Sequence, residues 1–169
     1  MRKHLRGERK FVIRVLIVDD HEFVRTGLSD LLDDAQGIVV VGECSDGAEV
    51  PDVAPRVQPD VVLMDVQMPR VSGPDATRTL LTRQPTVRVL MVSASSSSRL
   101  LAESAAAGAS GYLLKGGDAD ALVDAVRVVA DGGTAWPEDR ATTTARPTEE
   151  PCTGDARQGD QPGDSLAAM

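Results

Sequence analysis

Aromatic side chains are scarce in this chain: two Phe, one Tyr and one Trp make up 2% of its 169 residues. The 41% hydrophobic share must therefore build a core from Val, Leu, Ile and Ala. Cysteine is nearly absent too. Cys44 and Cys152 lie far apart in different kinds of segment, which argues against a disulfide framework or a zinc site and makes a reducing compartment the default. Positive charge is in the minority, with 18 Lys and Arg against 26 Asp and Glu, so the net charge is −8 and the pI about 4.7. That balance argues against whole-chain affinity for nucleic acid or an anionic membrane. No apolar run is long enough to span a bilayer. The basic start, Met1 to Arg6, followed by Phe11 to Val18, imitates a secretory signal. Arg14 breaks that run and Asp19-Asp20 ends it with no small-residue cleavage site, so a cytoplasmic location is expected.

What is present is alternation. Phe11 to Val18 is rich in β-branched residues and predicts a first strand ending at Asp19-Asp20. Val24, Leu28, Leu31 and Leu32 then fall at helical spacing, predicting a helix over 22–32. Ile38 to Cys44 is a second strand, and Ser45-Asp46-Gly47 a turn. Pro51 suits a first helical turn, but Pro55 would remove an internal hydrogen bond, so a short, broken or 3₁₀-like element is expected between Ala48 and Val57. Val61 to Met64 is a continuous apolar run bounded by prolines, hence a strand buried on both faces that leads to Asp65. Pro74 opens a third helix whose inner face is Ala76, Leu80 and Leu81. Val87 to Val92 is a fourth strand, stopping at Ser93. Leu100, Leu101, Ala105 and Ala106 make a small-residue fourth helix, closed by Gly108. Gly111 to Leu114 is a fifth strand ending at Lys115, and Asp118 caps a fifth helix facing inward through Leu122, Ala125, Val126 and Val129.

Strand-helix alternation of this kind implies an α/β domain with a mostly parallel sheet, whose right-handed crossovers bring all strand C-termini to one edge. Ligands of such sheets bind there. At that edge stand Asp19, Asp20, Asp65, Ser93 and Lys115. Each alone suits a plainer job: a helix cap, a turn, a loop start or a solvated charge. Together, three carboxylates in one crevice repel and need compensation, which a hard divalent cation such as Mg²⁺ supplies through oxygen ligands. A nucleophilic carboxylate, a metal, a lysine and a hydroxyl form a set suited to phosphoryl transfer.

Four motifs carry a family resemblance: Val15 to His21, Pro59 to Pro69, Ser93-Ala94, and Gly108 to Lys115. They resemble the receiver domain of bacterial two-component response regulators, of the subfamily that usually carries a LuxR-type helix-turn-helix output domain. The resemblance covers roughly residues 13–137. It implies a flavodoxin-like, doubly wound five-stranded parallel sheet of order 2-1-3-4-5 with helices on both faces. It also implies that Asp65 accepts phosphate from a histidine kinase. Asp19, Asp20, Asp65 and the backbone carbonyl of Gln67 would hold Mg²⁺. Ser93 and Lys115 would bind the phosphoryl group, and Tyr112 would be an aromatic switch turning inward. Gly116 follows the lysine where many receivers have proline.

The expected organisation is a basic flexible arm over 1–11, a receiver domain over 12–137 and a disordered acidic tail, rich in Pro, Gly and Thr, over 138–169. The expected role is a phosphorylation-switched protein-binding module rather than an enzyme, with a histidine kinase and a downstream protein as partners and self-association as a further option. Specific DNA binding by this chain alone is not expected. Two other readings stay open: a truncated or frame-shifted DNA-binding regulator, and a Mg²⁺-dependent phosphohydrolase with an Asp nucleophile.

Overall fold

The computed structural model describes residues 12–137, and the readings made for the arm and the tail fall outside them. The elements are β1 (Ile13–Val18), α1 (Glu22–Asp33), β2 (Ile38–Cys44), a 3₁₀ turn (Gly47–Glu49), α2 (Val50–Val57), β3 (Val61–Asp65), α3 (Gly73–Arg83), β4 (Arg88–Ser93), α4 (Ser98–Ala106), β5 (Gly111–Leu114) and α5 (Ala119–Ala130). The strands form one parallel sheet in the order β2-β1-β3-β4-β5.

Side chains alternate across a strand, and two cores follow from that period of two. Val15, Ile17, Leu63, Leu90 and Val92 pack with Leu32 of α1 and with Leu122, Val126 and Val129 of α5. Leu16, Val18, Val62, Met64, Val89 and Met91 pack with Val50 and Ala54 of α2 and with Ala76 and Leu80 of α3. Every residue of β3 is buried, which places Asp65 at the end of the most enclosed strand.

The first strand and the inner face of α4 depart from expectation, the segment around Pro55 meets it in part, and one contact had no reading in the sequence. The first strand begins at Ile13; Val12 is exposed and outside it, and Phe11 lies beyond the described residues. Between Gly47 and Val57 the 3₁₀ turn comes first and then an unbroken eight-residue α-helix that contains Pro55. Packing overrides the proline: Val50 and Ala54 are fully buried, and Pro55 points to solvent. The helix end is finished from outside. Gln58 turns left-handed at φ 45° and donates its N–H to the Ala54 carbonyl at 2.9 Å. Arg14 on β1 donates to the carbonyls of Val57 (2.8 Å) and Gln58 (3.1 Å). In α4, Leu100 and Leu101 face inward, yet Ala105 and Ala106 are exposed, while Ser104 and Ala107 are buried. Helical spacing from Leu100 lands on Ser104, whose hydroxyl is satisfied by the Leu100 carbonyl at 2.7 Å. Finally, the chain after α5 returns to β5. Ala135 donates to the Ser110 carbonyl (3.0 Å) and accepts from Tyr112 N–H (2.9 Å), covering an edge that would otherwise stand unpaired.

Candidate functional site

Parallel register sets the site. Val18 pairs with Met64, Asp65 with Val92 and Ser93 with Leu114, so Asp19, Asp65, Ser93 and Lys115 emerge at one level. Main-chain bonds fix the ends: Asp19 N–H donates to the Cys44 carbonyl (3.1 Å) and Lys115 N–H to the Ser93 carbonyl (2.8 Å). Arg25 of α1 donates to the Asp19 carbonyl at 2.7 Å, tying the first helix to the same edge.

Two carboxylates are deeply buried, Asp19 at 1% exposure and Asp65 at 4%. Lys115 Nζ bridges them, 2.7 Å from Asp19 Oδ2 and 2.9 Å from Asp65 Oδ2. Burial pushes the Asp65 carboxyl above its ordinary range and the Asp19 charge adds to this, while Lys115 and the Gln67 N–H pull the other way. For Lys115, burial lowers proton affinity, but its bonds to Asp19 and Asp65 prevail and hold it above the usual lysine value.

Asp20 is exposed, and His21 Nδ1 lies 2.7 Å from its Oδ1. His21, not either aspartate, occupies the N-cap position of α1; it makes no side-chain cap bond. Its own N–H donates to Asp19 Oδ1 at 2.9 Å. Asp19, Asp20, His21 and Asp65 each offer a ligand atom, all within 4.8 Å of one another. Three hard oxygen donors in that space fit a Mg²⁺ ion. His21 was not singled out from sequence; a histidine straight after an aspartate pair was the available signal.

Gln67 is exposed, and its N–H donates to Asp65 Oδ1 at 3.3 Å, so the loop after β3 leans onto that carboxylate. Ser93 is buried and its Oγ accepts the Ser95 N–H at 3.2 Å. Tyr112 is also buried, with its ring inward and its hydroxyl donating to the Ser95 carbonyl. The two residues thus hold opposite faces of one peptide residue, Ser95. An apolar cavity of about 580 Å³ lies beside the site between α1 and α5, lined by Leu28, Leu113, Leu122 and Lys115 among others.

Residues 15–127 match the response regulator receiver domain family model. The chain is 38% identical over 156 residues to the response regulator GacA of Pseudomonas aeruginosa, covering 92% of this chain and 71% of that protein. It is 43% identical over 121 residues to the transcriptional regulatory protein DegU of Brevibacillus brevis, covering 72% of this chain and 51% of that one. The chain thus spans only about half the length of some of the curated relatives it matches. Among solved structures, the LuxR-family two-component response regulator from Aurantimonas sp. SI85-9A1 superposes with a TM-score of 0.71 at 33% identity, covering 76% of this chain and 92% of that one.

Proposed function

The chain belongs to the response regulator receiver family of two-component signalling, and from that premise we propose that Asp65 accepts a phosphoryl group from the phosphohistidine of a histidine kinase, in the presence of Mg²⁺. The observation that carries the proposal is Asp65 itself: a buried carboxylate ending the central strand, with a lysine ammonium 2.9 Å away. An Asp65 oxygen attacks phosphorus in line with the imidazole nitrogen; the P–O bond forms as the P–N bond breaks, and the electron pair leaves on the imidazole. Mg²⁺, held by Asp19, Asp20, Asp65 and the Gln67 carbonyl, would neutralise charge on the phosphoryl oxygens. Lys115 already bridges two carboxylates and is placed to trade one of them for the new oxygens. Ser93 lies at the end of the adjacent strand, where its hydroxyl would donate to the same group.

The switch we propose runs through Ser95. Drawing Ser93 toward the phosphoryl group pulls on the Ser95 N–H, and Tyr112 holds the carbonyl of that same residue. The β4–α4 loop would move with it and reshape the surface formed by α4, β5 and α5, where a downstream protein docks. The chain works in the cytoplasm as a signalling module, not as a turnover enzyme. No helix among the described residues is long and apolar enough to cross a membrane.

Intact-protein mass after treatment with acetyl phosphate and MgCl₂ tests the reading. One phosphoryl adduct is expected on the wild-type chain and none on Asp65→Asn. An adduct on that variant would overturn the assignment, and continuous hydrolysis of a phosphate ester would favour the phosphohydrolase instead. A second reading, the receiver portion of a DNA-binding regulator, is favoured by the transcriptional role named for DegU.

A further inference from the structure

We propose that Asp46 is a positioning residue for the metal site, holding the β3–α3 loop so that the Gln67 carbonyl is presented beside Asp65. The inference rests on the reading of Asp65 as a Mg²⁺-dependent phosphoryl acceptor. Asp46 follows β2 at the sheet edge and contributes no atom to the site. Its carboxylate is only 4% exposed, and a buried carboxylate requires partners. Those partners are three backbone N–H groups: Ala48 (2.9 Å) and Val71 (3.2 Å) on Oδ1, and Arg70 (3.0 Å) on Oδ2. An ordinary turn aspartate bonds its own neighbours, as this one does with Ala48. The bonds to Arg70 and Val71 instead reach 24 and 25 residues ahead, to the loop that leaves Asp65. Burial works to raise this carboxyl, but the three N–H groups and the Arg70 charge outweigh it and hold it below the usual range. The group is therefore an ionised, acceptor-only anchor at neutral pH.

Gly47 completes the grip. A Cβ there would meet the Val71 carbonyl oxygen at 2.5 Å and Ala76 Cβ at 2.9 Å. Asp46 takes the Val71 N–H, and Gly47 admits the Val71 carbonyl. At the two ends of the loop, Gly73 packs so tightly on Asp65 that a Cβ would lie 2.2 Å from the Asp65 carbonyl oxygen, and its N–H bonds to the Val66 carbonyl at 3.1 Å. Gln67 lies between these two anchors, its N–H on Asp65 Oδ1. A carbonyl so close in sequence to Asp65 can share a small, rigid ion with it only if the chain leaves Asp65 at one angle, because Mg²⁺ demands near-ideal octahedral geometry. Asp46 and Gly47 set that angle from outside.

Asp46→Asn keeps one acceptor oxygen for Ala48 and Val71 but sets an amide N–H against the Arg70 N–H. Calorimetric titration of the full chain with MgCl₂, paired with amide exchange over residues 66–72, decides the matter. About tenfold weaker Mg²⁺ binding is expected, the scale set by loss of an outer-shell partner. Exchange should quicken at Gln67 to Val71 and stay unchanged in β1 and β3. Wild-type affinity in a loosened loop overturns the proposal, and so does an unchanged loop. Gly47→Ala, which lifts the Val71 carbonyl while keeping the carboxylate, should weaken Mg²⁺ in the same direction, and it carries the test if Asp46→Asn does not fold. A wild-type chain that takes up no Mg²⁺ overturns the site reading and this role with it; equal uptake by wild type and both variants overturns the role alone.

Discussion

At Asp65 two forces oppose each other. The protein removes the carboxylate from water and sets Asp19 beside it, which disfavours ionisation; Lys115 restores part of what is lost. A raised carboxyl means the folded state binds the Asp65 proton more tightly than the unfolded chain does. Stability is then lost as pH rises from the ordinary carboxylate value through the raised one, and the loss persists at neutral pH. Removing the charge should recover it. In metal-free buffer at pH 7, Asp65→Asn is therefore expected to melt a few degrees above wild type, on the order of 1 kcal/mol, with Lys115 still paired to Asp19. The gain should vanish below about pH 3.8, where the wild-type carboxyl is protonated in both states. Differential scanning calorimetry across that range checks it, and a lower melting temperature at pH 7 would show that the Lys115 pair outweighs the repulsion. Lys115 presents the mirror case. Its raised value means the ion pairs contribute fully below about pH 10.5 and are lost as pH climbs through the folded value. The proposed function would draw on the same imbalance, because excess negative charge at a site favours a cation.

Helix α2 shows an element held by its neighbours rather than by its own sequence. Pro55 cannot donate to the Pro51 carbonyl, and its ring crowds that oxygen. An interior proline costs about 3 kcal/mol relative to alanine, of which up to about 1 kcal/mol returns through the stiffer unfolded chain. Pro55 faces solvent, so Pro55→Ala leaves the core untouched and should stabilise the domain by about 2 kcal/mol. Urea unfolding with an unchanged slope would confirm it; no shift in midpoint would mean that the helix has already relaxed around the ring. The same helix marks where reading the sequence ran out. The proline was visible, but Arg14 closing the helix from another strand was not, because no local pattern announces a contact 43 residues away. Strands and helix starts were legible wherever a rule is local: Pro74 in the first turn of α3, Asp118 capping α5, the apolar run of β3. The site carboxylates and Lys115 were legible because parallel topology forces strand ends together. Ser104 was missed since a buried serine looks polar until its bond to Leu100 is seen. Asp46 was read as a turn, which it is, and its two distant partners need three dimensions to be found.

At the scale of the whole chain the open question is output. Of the relatives named above, one is a response regulator and the other a transcriptional regulatory protein by name, and this chain spans only 51% of the latter. Specific readout of DNA needs an element seated in the major groove and phosphate contacts to hold it there. In the described residues, α1 and α5 cover one face of the sheet and α2, α3 and α4 the other, so none is free to enter a groove. Residues 138–169 carry Arg140, Arg146 and Arg157 against Glu138, Asp139, Glu149, Glu150, Asp155, Asp160 and Asp164, a balance that repels phosphate. The arm, with Arg2, Lys3, Arg6, Arg9 and Lys10 against Glu8, has the sign to contact a nucleic acid. Contact of that kind is unspecific and weakens steeply as salt rises, because it works by releasing counterions. We therefore expect no sequence-selective binding by this chain, phosphorylated or not. A gel-shift titration at physiological salt, with and without acetyl phosphate, measures it. Retarded complexes that vanish with added salt and appear equally on unrelated duplexes fit the arm. Selective complexes at nanomolar protein would assign DNA binding to a segment outside residues 12–137 and make the transcription-factor reading the better one.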